Sequence, residues 1–215
     1  MKRGAIFDMD GTLLDTEKFY AQAWVEVADQ FGLERKPALG TAMSGTAVSS
    51  MAEILHRFYP GIDADKYLER VFKFVKHKID AELELKAGVK EILDYFQSQN
   101  ILMAVASSSS HSTIESNLQR TGIINYFAAL IGGDEIVNGK PAPDIFIKAA
   151  SNLNLSPDEC YVFEDSFNGI RAGHASGCLT IMIPDQVQPT DEIRAICTVY
   201  ESMNQALSAI KQNKI

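Results

Sequence analysis

The sequence predicts an α/β chain: a parallel sheet interrupted, after its first strand, by a block made of helices alone. Three observations predict it. Short apolar runs at residues 4–7, 101–106, 128–131, 160–163 and 179–183 have the length and near-continuous apolarity of strands buried on both faces. From Leu85 onward they alternate with helical patterns at 89–97, 112–120, 142–152 and 168–175, the rhythm of right-handed β–α–β crossovers. Between about Asp15 and Glu84 that rhythm fails. Residues 17–31, 47–58 and 64–78 carry apolar spacing near 3.6, with no strand between them.

The first run ends in FDMDGTLLDT, residues 7–16. Residues i and i+2 of an extended chain point the same way, so Asp8 and Asp10 leave the strand end together. Two close anions repel and persist only with a cation, a shared proton or a task. The C-terminal end of a buried strand is also where an open α/β sheet keeps its active site. Gly11 and Lys86-Ala87-Gly88 supply hinge points on either side of the helical block. The expected organisation is therefore a discontinuous core, 1–14 and 86–215, carrying a helical cap at 15–85.

Three later elements end in chemically useful residues. Ser107 follows the 101–106 run, with Ser108 and Ser109 opening the next helix; a hydroxyl with free amide N–H groups there makes an anion site, although serines also cap helices with no ligand present. Lys140 sits in NGKPAPD, where glycine and two prolines present the lysine on a fixed loop rather than leaving it solvated. Glu164-Asp165 closes the 160–163 run, and Ser166-Phe167-Asn168-Gly169 turns into a helix. Alone, an acidic pair at a helix start answers to the helix dipole. Beside Asp8 it becomes a pair of hard oxygen ligands suited to Mg²⁺.

Composition narrows the classes. The chain is long enough for a sizeable core, and 46% hydrophobic with 22% charged residues is ordinary for a globular protein. A net charge of −8 argues against nucleic acid, and raises the question of how a phosphate would be tolerated without local cations. Cys160, Cys178 and Cys197 lack metal-type spacing, and an odd count points to a reducing, cytoplasmic setting. Met1-Lys2-Arg3 mimics the start of a leader, but Asp8 and Asp10 interrupt any apolar core, and no run approaches a membrane span. A nucleotide P-loop fails at Lys140, where Pro141 follows in place of Ser/Thr and Gly133 is one residue too far away. His111 and Glu115 are too few for zinc, and Ser107 lacks a G-x-S-x-G elbow. Gly169, Gly173 and Gly177 read as close helix packing.

DMDGT at 8–12, followed in order by Ser107, Lys140-Pro141 and Glu164-Asp165, resembles the haloacid dehalogenase-like hydrolases, closest to their β-phosphoglucomutase-like and sugar phosphatase branch. The resemblance spans the chain and implies a Rossmann-like parallel sheet with an inserted all-helical cap. It implies Asp8 as nucleophile, Asp10 as acid/base fixed by Thr12, and Ser107, Ser108, Lys140, Thr12 and Asp15 around the phosphate. It implies Mg²⁺ held by Asp8, the Asp10 carbonyl and Asp165, with Glu164 nearby or acting through water. The partner implied is a small phosphorylated metabolite, handled by a monomer.

Asp10 separates this chain from the dehalogenases, which lack the second aspartate, and from phosphonate-cleaving members. What remains is a phosphatase or a sugar-phosphate mutase. Two departures from the mutase pattern favour the phosphatase: Tyr20 falls where mutases carry a cap histidine, and Gly45 where they carry the arginine that holds a second phosphate. Thr12 points the same way. A non-catalytic binding protein is disfavoured because Asp8, Asp10, Ser107, Lys140 and Asp165 are all present. Specificity is expected from cap residues such as Tyr20, Met43, Ser44, Met51, Lys76 and His77.

Overall fold

The computed structural model describes every residue except Ala47, where one edge of the expected 47–58 helix falls. After β1 (Gly4–Phe7) come four helices in succession, α1 (Glu17–Gln30), α2 (Pro37–Met43), α3 (Val48–Phe58) and α4 (Ala64–Glu82). The sheet then resumes. Its elements are α5 (Val89–Ser98), β2 (Leu102–Ala106), α6 (His111–Arg120), β3 (Ala129–Ile131), α7 (Asp144–Asn152), β4 (Cys160–Glu164), α8 (Phe167–Ser176), β5 (Leu179–Met182), α9 (Asp191–Arg194), β6 (Thr198–Val199) and α10 (Met203–Lys211). The six strands are all parallel and run in the order β3-β2-β1-β4-β5-β6. The family-like Rossmann architecture expected from the sequence is the one observed.

β1 lies at the centre because its four residues GAIF offer nothing to solvent. Alternation sends Ala5 and Phe7 to one face and Ile6 to the other. On the first face Phe7 stacks on Phe163 with ring centroids 4.7 Å apart, and Phe96, Tyr161 and Leu207 complete the layer. On the second, Ile6 packs with Ala104, Val162 and Phe146 of α7. The chain order reverses between β1 and β4, whose register pairs Phe7 with Phe163. Asp8 and Glu164 therefore leave the switch point of the sheet side by side, with Asp165 one residue beyond.

The four inserted helices bury their own stripes against one another. Phe19, Trp24, Leu55, Tyr67 and Val71 form a cluster separate from those of the sheet, and the Tyr67 hydroxyl donates to the Trp24 carbonyl at 3.1 Å. The two chain crossings into this insert are hydrogen-bonded to each other: Asp15 N–H donates to Glu84 O and Lys86 N–H to Leu13 O, both at 3.0 Å. Gly11 at φ +83° and Gly88 at φ +85° turn the chain at the outer ends of this short ribbon.

Four elements were not expected. α2 is short and opens on Pro37; α9 has four residues and β6 two; α10 lies beyond the last motif. The glycine spacing in α8 also resolves differently. Gly173 packs against Thr180 and Val162, whereas Gly177 has open space around it and ends the helix at φ +87°. Gly169 faces the Glu164 carboxylate so closely that any added Cβ would overlap it.

Gly169→Ala is accordingly expected to destabilise the protein by about 1–3 kcal/mol through overpacking. It should also displace Glu164. Equilibrium denaturation measures the first effect, and a stability equal to wild type would contradict the packing described.

Candidate active site

Asp8 continues β1, its N–H donating to Phe163 O at 2.9 Å, and its carboxylate is 8% exposed. Lys140 reaches it from the loop before α7: Nζ lies 2.5 Å from Asp8 Oδ1 and 2.7 Å from Glu164 Oε1, with the lysine side chain 1% exposed. The ammonium also rests 5.0 Å from the Phe146 ring centroid. Burial works to lower the Lys140 pKa, but Asp8 and Glu164 more than offset it, and the group stays charged well above neutrality.

Glu164, expected from the sequence near the metal or acting on it through water, points instead at Lys140 and at the start of α8. Its Oε1 takes Lys140, while Oε2 accepts the Asp165 N–H, the Ser166 N–H and the Ser166 hydroxyl at 2.9, 2.7 and 2.9 Å. Those bonds fix the carboxylate through Oε2 and leave Oε1 on Lys140, so Glu164 orients the ammonium from beneath.

Asp10 is held by hydroxyls. Thr16 Oγ1 donates to its Oδ1 at 2.7 Å, and Ser109 and Ser107 donate to Oδ2 at 3.1 and 3.4 Å. The residue expected to fix Asp10, Thr12, donates instead to Asp165 Oδ1 at 3.3 Å, because the turn at Gly11 swings it to the other side. Asp15 does not reach the site either. Its carboxylate pairs with Lys18 at 2.6 Å on the half-exposed hinge ribbon.

Ser107, 1% exposed, and Ser109 lie in a loop ahead of α6 rather than in its first turn. The early amides of α6 are occupied: Asp134 accepts from His111 N–H and Ser110 Oγ from Thr113 N–H. These two amides are thus bonded within the protein, and the 107–109 loop itself faces Asp10 through the Ser107 and Ser109 hydroxyls. Ser108 donates its hydroxyl to Gly45 O at 3.2 Å, and Asn168 donates to Ser44 O at 3.3 Å, so core side chains grip two successive carbonyls of the insert.

Asp8, Asp10, Ser107, Ser108, Ser109 and Asp165 line a chamber of about 60 Å³. Its roof comes from the insert, including Tyr20, Trp24, Met43, Ser44, Gly45 and Met51. Lys76 lines a larger chamber of about 560 Å³ on one side. His77 lines neither.

Electrostatically the site is short of positive charge. Asp8, Asp10, Glu17, Glu164 and Asp165 gather around one ammonium. Burial pushes Asp8 up to about 8 despite the opposing Lys140, and burial likewise raises Asp10 against the hydroxyls that bond it. Asp165 is driven well above the carboxylate range by burial, then by Glu164, Glu17 and Asp8. A divalent cation would relieve this strain. Asp8 Oδ2 and Asp165 Oδ2 accept no hydrogen bond among the described residues, and both are hard oxygens. No three acidic, histidine or cysteine side chains among the described residues converge as a complete metal centre. Two carboxylates, a main-chain carbonyl and waters are what Mg²⁺ ordinarily takes, so the residues fit it.

Sequence reasoning missed the roles of Thr16, Ser109 and Glu17. Thr16 and Glu17 follow Asp10 by six and seven residues, and only the tight return at Gly11 brings them back. Glu17 is pushed up to about 8 by burial and then by Asp10 and Asp8.

Comparison with known proteins agrees with this geometry. Residues 5–183 match the model of the haloacid dehalogenase-like hydrolases. A phosphorylated carbohydrates phosphatase of Thermotoga maritima is 32% identical over 173 residues, covering 80% of each chain. The fructose-1-phosphate phosphatase YqaB of Escherichia coli is 31% identical over 175 residues, covering 81% of this chain and 92% of that one. Among solved structures, a β-phosphoglucomutase of Clostridium difficile superimposes with a TM-score of 0.83 at 23% identity, covering 100% of this chain and 97% of that one, which is a likeness of fold. With the sheet, the switch-point aspartates and the buried lysine already in place, these matches mean that the chain belongs to the haloacid dehalogenase-like hydrolase family.

Proposed function

We propose that this protein is a Mg²⁺-dependent phosphatase of small phosphomonoesters, sugar phosphates foremost, working through an aspartyl phosphate on Asp8. The observation that carries the reading is the pair of aspartates two residues apart in different surroundings, Asp8 against Lys140 and Asp10 among three hydroxyls. Two carboxylates so separated can take two roles. The relatives named as carbohydrate and fructose-1-phosphate phosphatases support the substrate class.

Asp8 attacks phosphorus, and Asp10, protonated at the outset, gives its proton to the departing alcohol oxygen. Asp10 is then the base that takes a proton from water as the acyl phosphate is cleaved. Thr16 and Ser109 keep its carboxylate aimed through both steps. Lys140 neutralises the nucleophile and the phosphoryl oxygens, and Glu164 stops it from swinging away. Ser107 and the 107–109 loop bind the phosphoryl group. Mg²⁺, held by Asp8, the Asp10 carbonyl and Asp165, would offset the remaining phosphoryl charge. Residues 15–85 act as a cap over a core of 1–14 and 86–215. A chamber of about 60 Å³ holds only a few waters' worth of volume, so the cap opens to admit a sugar phosphate and closes to exclude bulk water.

Hydrolysis is favoured over mutase chemistry by Gly45. Its φ of +68° and the Ser166 side chain directly against it leave no room for any side chain, least of all an arginine. A mutase must retain a bisphosphorylated intermediate while it reorients, and this roof offers no cation at that turn.

Purified protein should hydrolyse an aryl phosphate with Mg²⁺ and lose that activity in EDTA; full activity in chelator would refute the metal requirement. Asp8→Asn should lower kcat at least about a thousandfold, equivalent to about 4 kcal/mol of barrier. A near-normal rate would remove Asp8 as nucleophile. With β-glucose 1-phosphate, inorganic phosphate should be released with no stimulation by a 1,6-bisphosphate primer. Primer-dependent formation of glucose 6-phosphate, read in a coupled assay, would establish the mutase instead.

A further inference from the structure

A backbone amide nitrogen can attack the side-chain carbonyl of an asparagine just before it, and glycine in the second place removes the Cβ that would crowd the ring closure. The chain holds two such pairs, Asn138-Gly139 and Asn168-Gly169. They sit in opposite settings. Asn168 and Gly169 lie in the first turn of α8, where Asn168 Nδ2 donates to Ser44 O at 3.3 Å and the buried Gly169 N–H to Ser166 Oγ at 3.0 Å. A helical side chain also leans toward the helix N-terminus, away from the nitrogen that follows it. Asn138 and Gly139 lie instead in the irregular loop that leads into α7. Asn138 is exposed, and the Gly139 N–H donates no hydrogen bond among the described residues.

The exposed pair also occupies a sensitive place. Asn138 Nδ2 donates to Asp144 Oδ1 at 2.9 Å, which ties together the two ends of the loop that carries Lys140. Ala142 N–H donates to Gly139 O at 3.0 Å inside that clasp. Two residues beyond Asn138 the Lys140 ammonium has to meet Asp8 and Glu164 at once.

We propose that Asn138 is a site of spontaneous deamidation, and that its conversion unties the loop presenting Lys140. The Gly139 nitrogen, giving its proton to solvent base, bonds to Asn138 Cγ; the bond from Cγ to the side-chain nitrogen breaks and ammonia leaves. Water then opens the cyclic imide at Cγ or at the main-chain carbonyl carbon, giving isoaspartate or aspartate. The net change is amide plus water to carboxylic acid plus ammonia, with no oxidant or reductant. Either product sets a carboxylate against Asp144 where a donor stood, and two carboxylates at that distance repel. Isoaspartate also adds a methylene to the main chain two residues before Lys140. The modification is independent of the phosphatase reading; the loss of activity that follows from it rests on that reading.

The test ages wild type, Gly139→Ala and Asn138→Asp in warm, mildly alkaline buffer. Residue 138 is mapped by peptide mass spectrometry, with isoaspartate detected by an isoaspartyl methyltransferase. Gly139 has no positive φ, so alanine suits its backbone while crowding the ring closure and leaving the Asn138–Asp144 bond in place. Wild type should accumulate aspartate and isoaspartate at 138 and keep Asn168 intact. Full conversion should lower kcat on an aryl phosphate with Mg²⁺ by about three- to tenfold, the size of one lost hydrogen bond. The melting midpoint should fall by about 2–4 °C. Asn138→Asp should begin at the lowered rate and midpoint. Gly139→Ala should hold its own fresh values and stay unmodified over the same period. An intact Asn138 after ageing, conversion at Asn168 in its place, or complete conversion at 138 with rate and midpoint unchanged would each overturn the inference. Should fresh wild type cleave no phosphomonoester, the phosphatase reading falls, while the map and the midpoint still decide this one.

Discussion

A lysine buried to 1% exposure between two carboxylates, Asp8 and Glu164, is the contact on which the rest of this site depends. Removing such a cation from water is expensive, and only close hydrogen-bonded partners on more than one side make it tolerable. The fold supplies both from adjacent strands. β1 and β4 pair in parallel register, so the residues that leave their C-terminal ends, Asp8 and Glu164, stand at neighbouring positions. Glu164 is itself fixed by two main-chain amides and a hydroxyl, and Gly169 leaves the space it fills. The precision of the ammonium at Asp8 is thus traceable to a glycine on α8 and to the register of two strands.

The same contact leaves a debt of charge. One lysine cannot compensate the carboxylates that the switch point collects, and the upward pressure on Asp8, Asp10 and Asp165 expresses this imbalance. The overall charge of −8 offers no long-range help to an incoming phosphate. Positive charge has to be local, and the Oδ2 atoms of Asp8 and Asp165, which accept no hydrogen bond among the described residues, are the oxygens open to it. The roof contributes shape and exclusion of water rather than charge, through a turn at Ser44 and Gly45 gripped by Asn168 and Ser108.

Much of this was legible in the sequence because strand ends and strand alternation are short-range properties. The apolar runs at Gly4, Leu102 and Cys160 announce β1, β2 and β4, and whatever follows a run must lie at one edge of a parallel sheet. Hence Asp8, Asp10, Ser107 and Asp165 could be brought together before any coordinate was known. Side-chain partners were less legible, because they depend on how a turn closes. Gly11 rotates Thr12 toward Asp165 and brings Thr16 back to Asp10 and Glu17 to the chamber wall, an exchange that residue type alone does not encode. Glu164 looked like a metal ligand by proximity in sequence, but the helix start that follows turns its carboxylate inward. The short elements α2, α9 and β6 escaped because a few residues carry no period.

The central claim is that Asp8, held against Lys140, becomes the phosphorylated residue. It is tested most directly by an acid-quenched single turnover with a radiolabelled phosphomonoester and Mg²⁺, followed by mass-spectrometric mapping of the label. The account predicts a base-labile phosphoryl group on Asp8 in wild type, and none on the chain when Lys140 is replaced by methionine. Label on any other residue, or rapid release of phosphate with the chain never labelled, would contradict it.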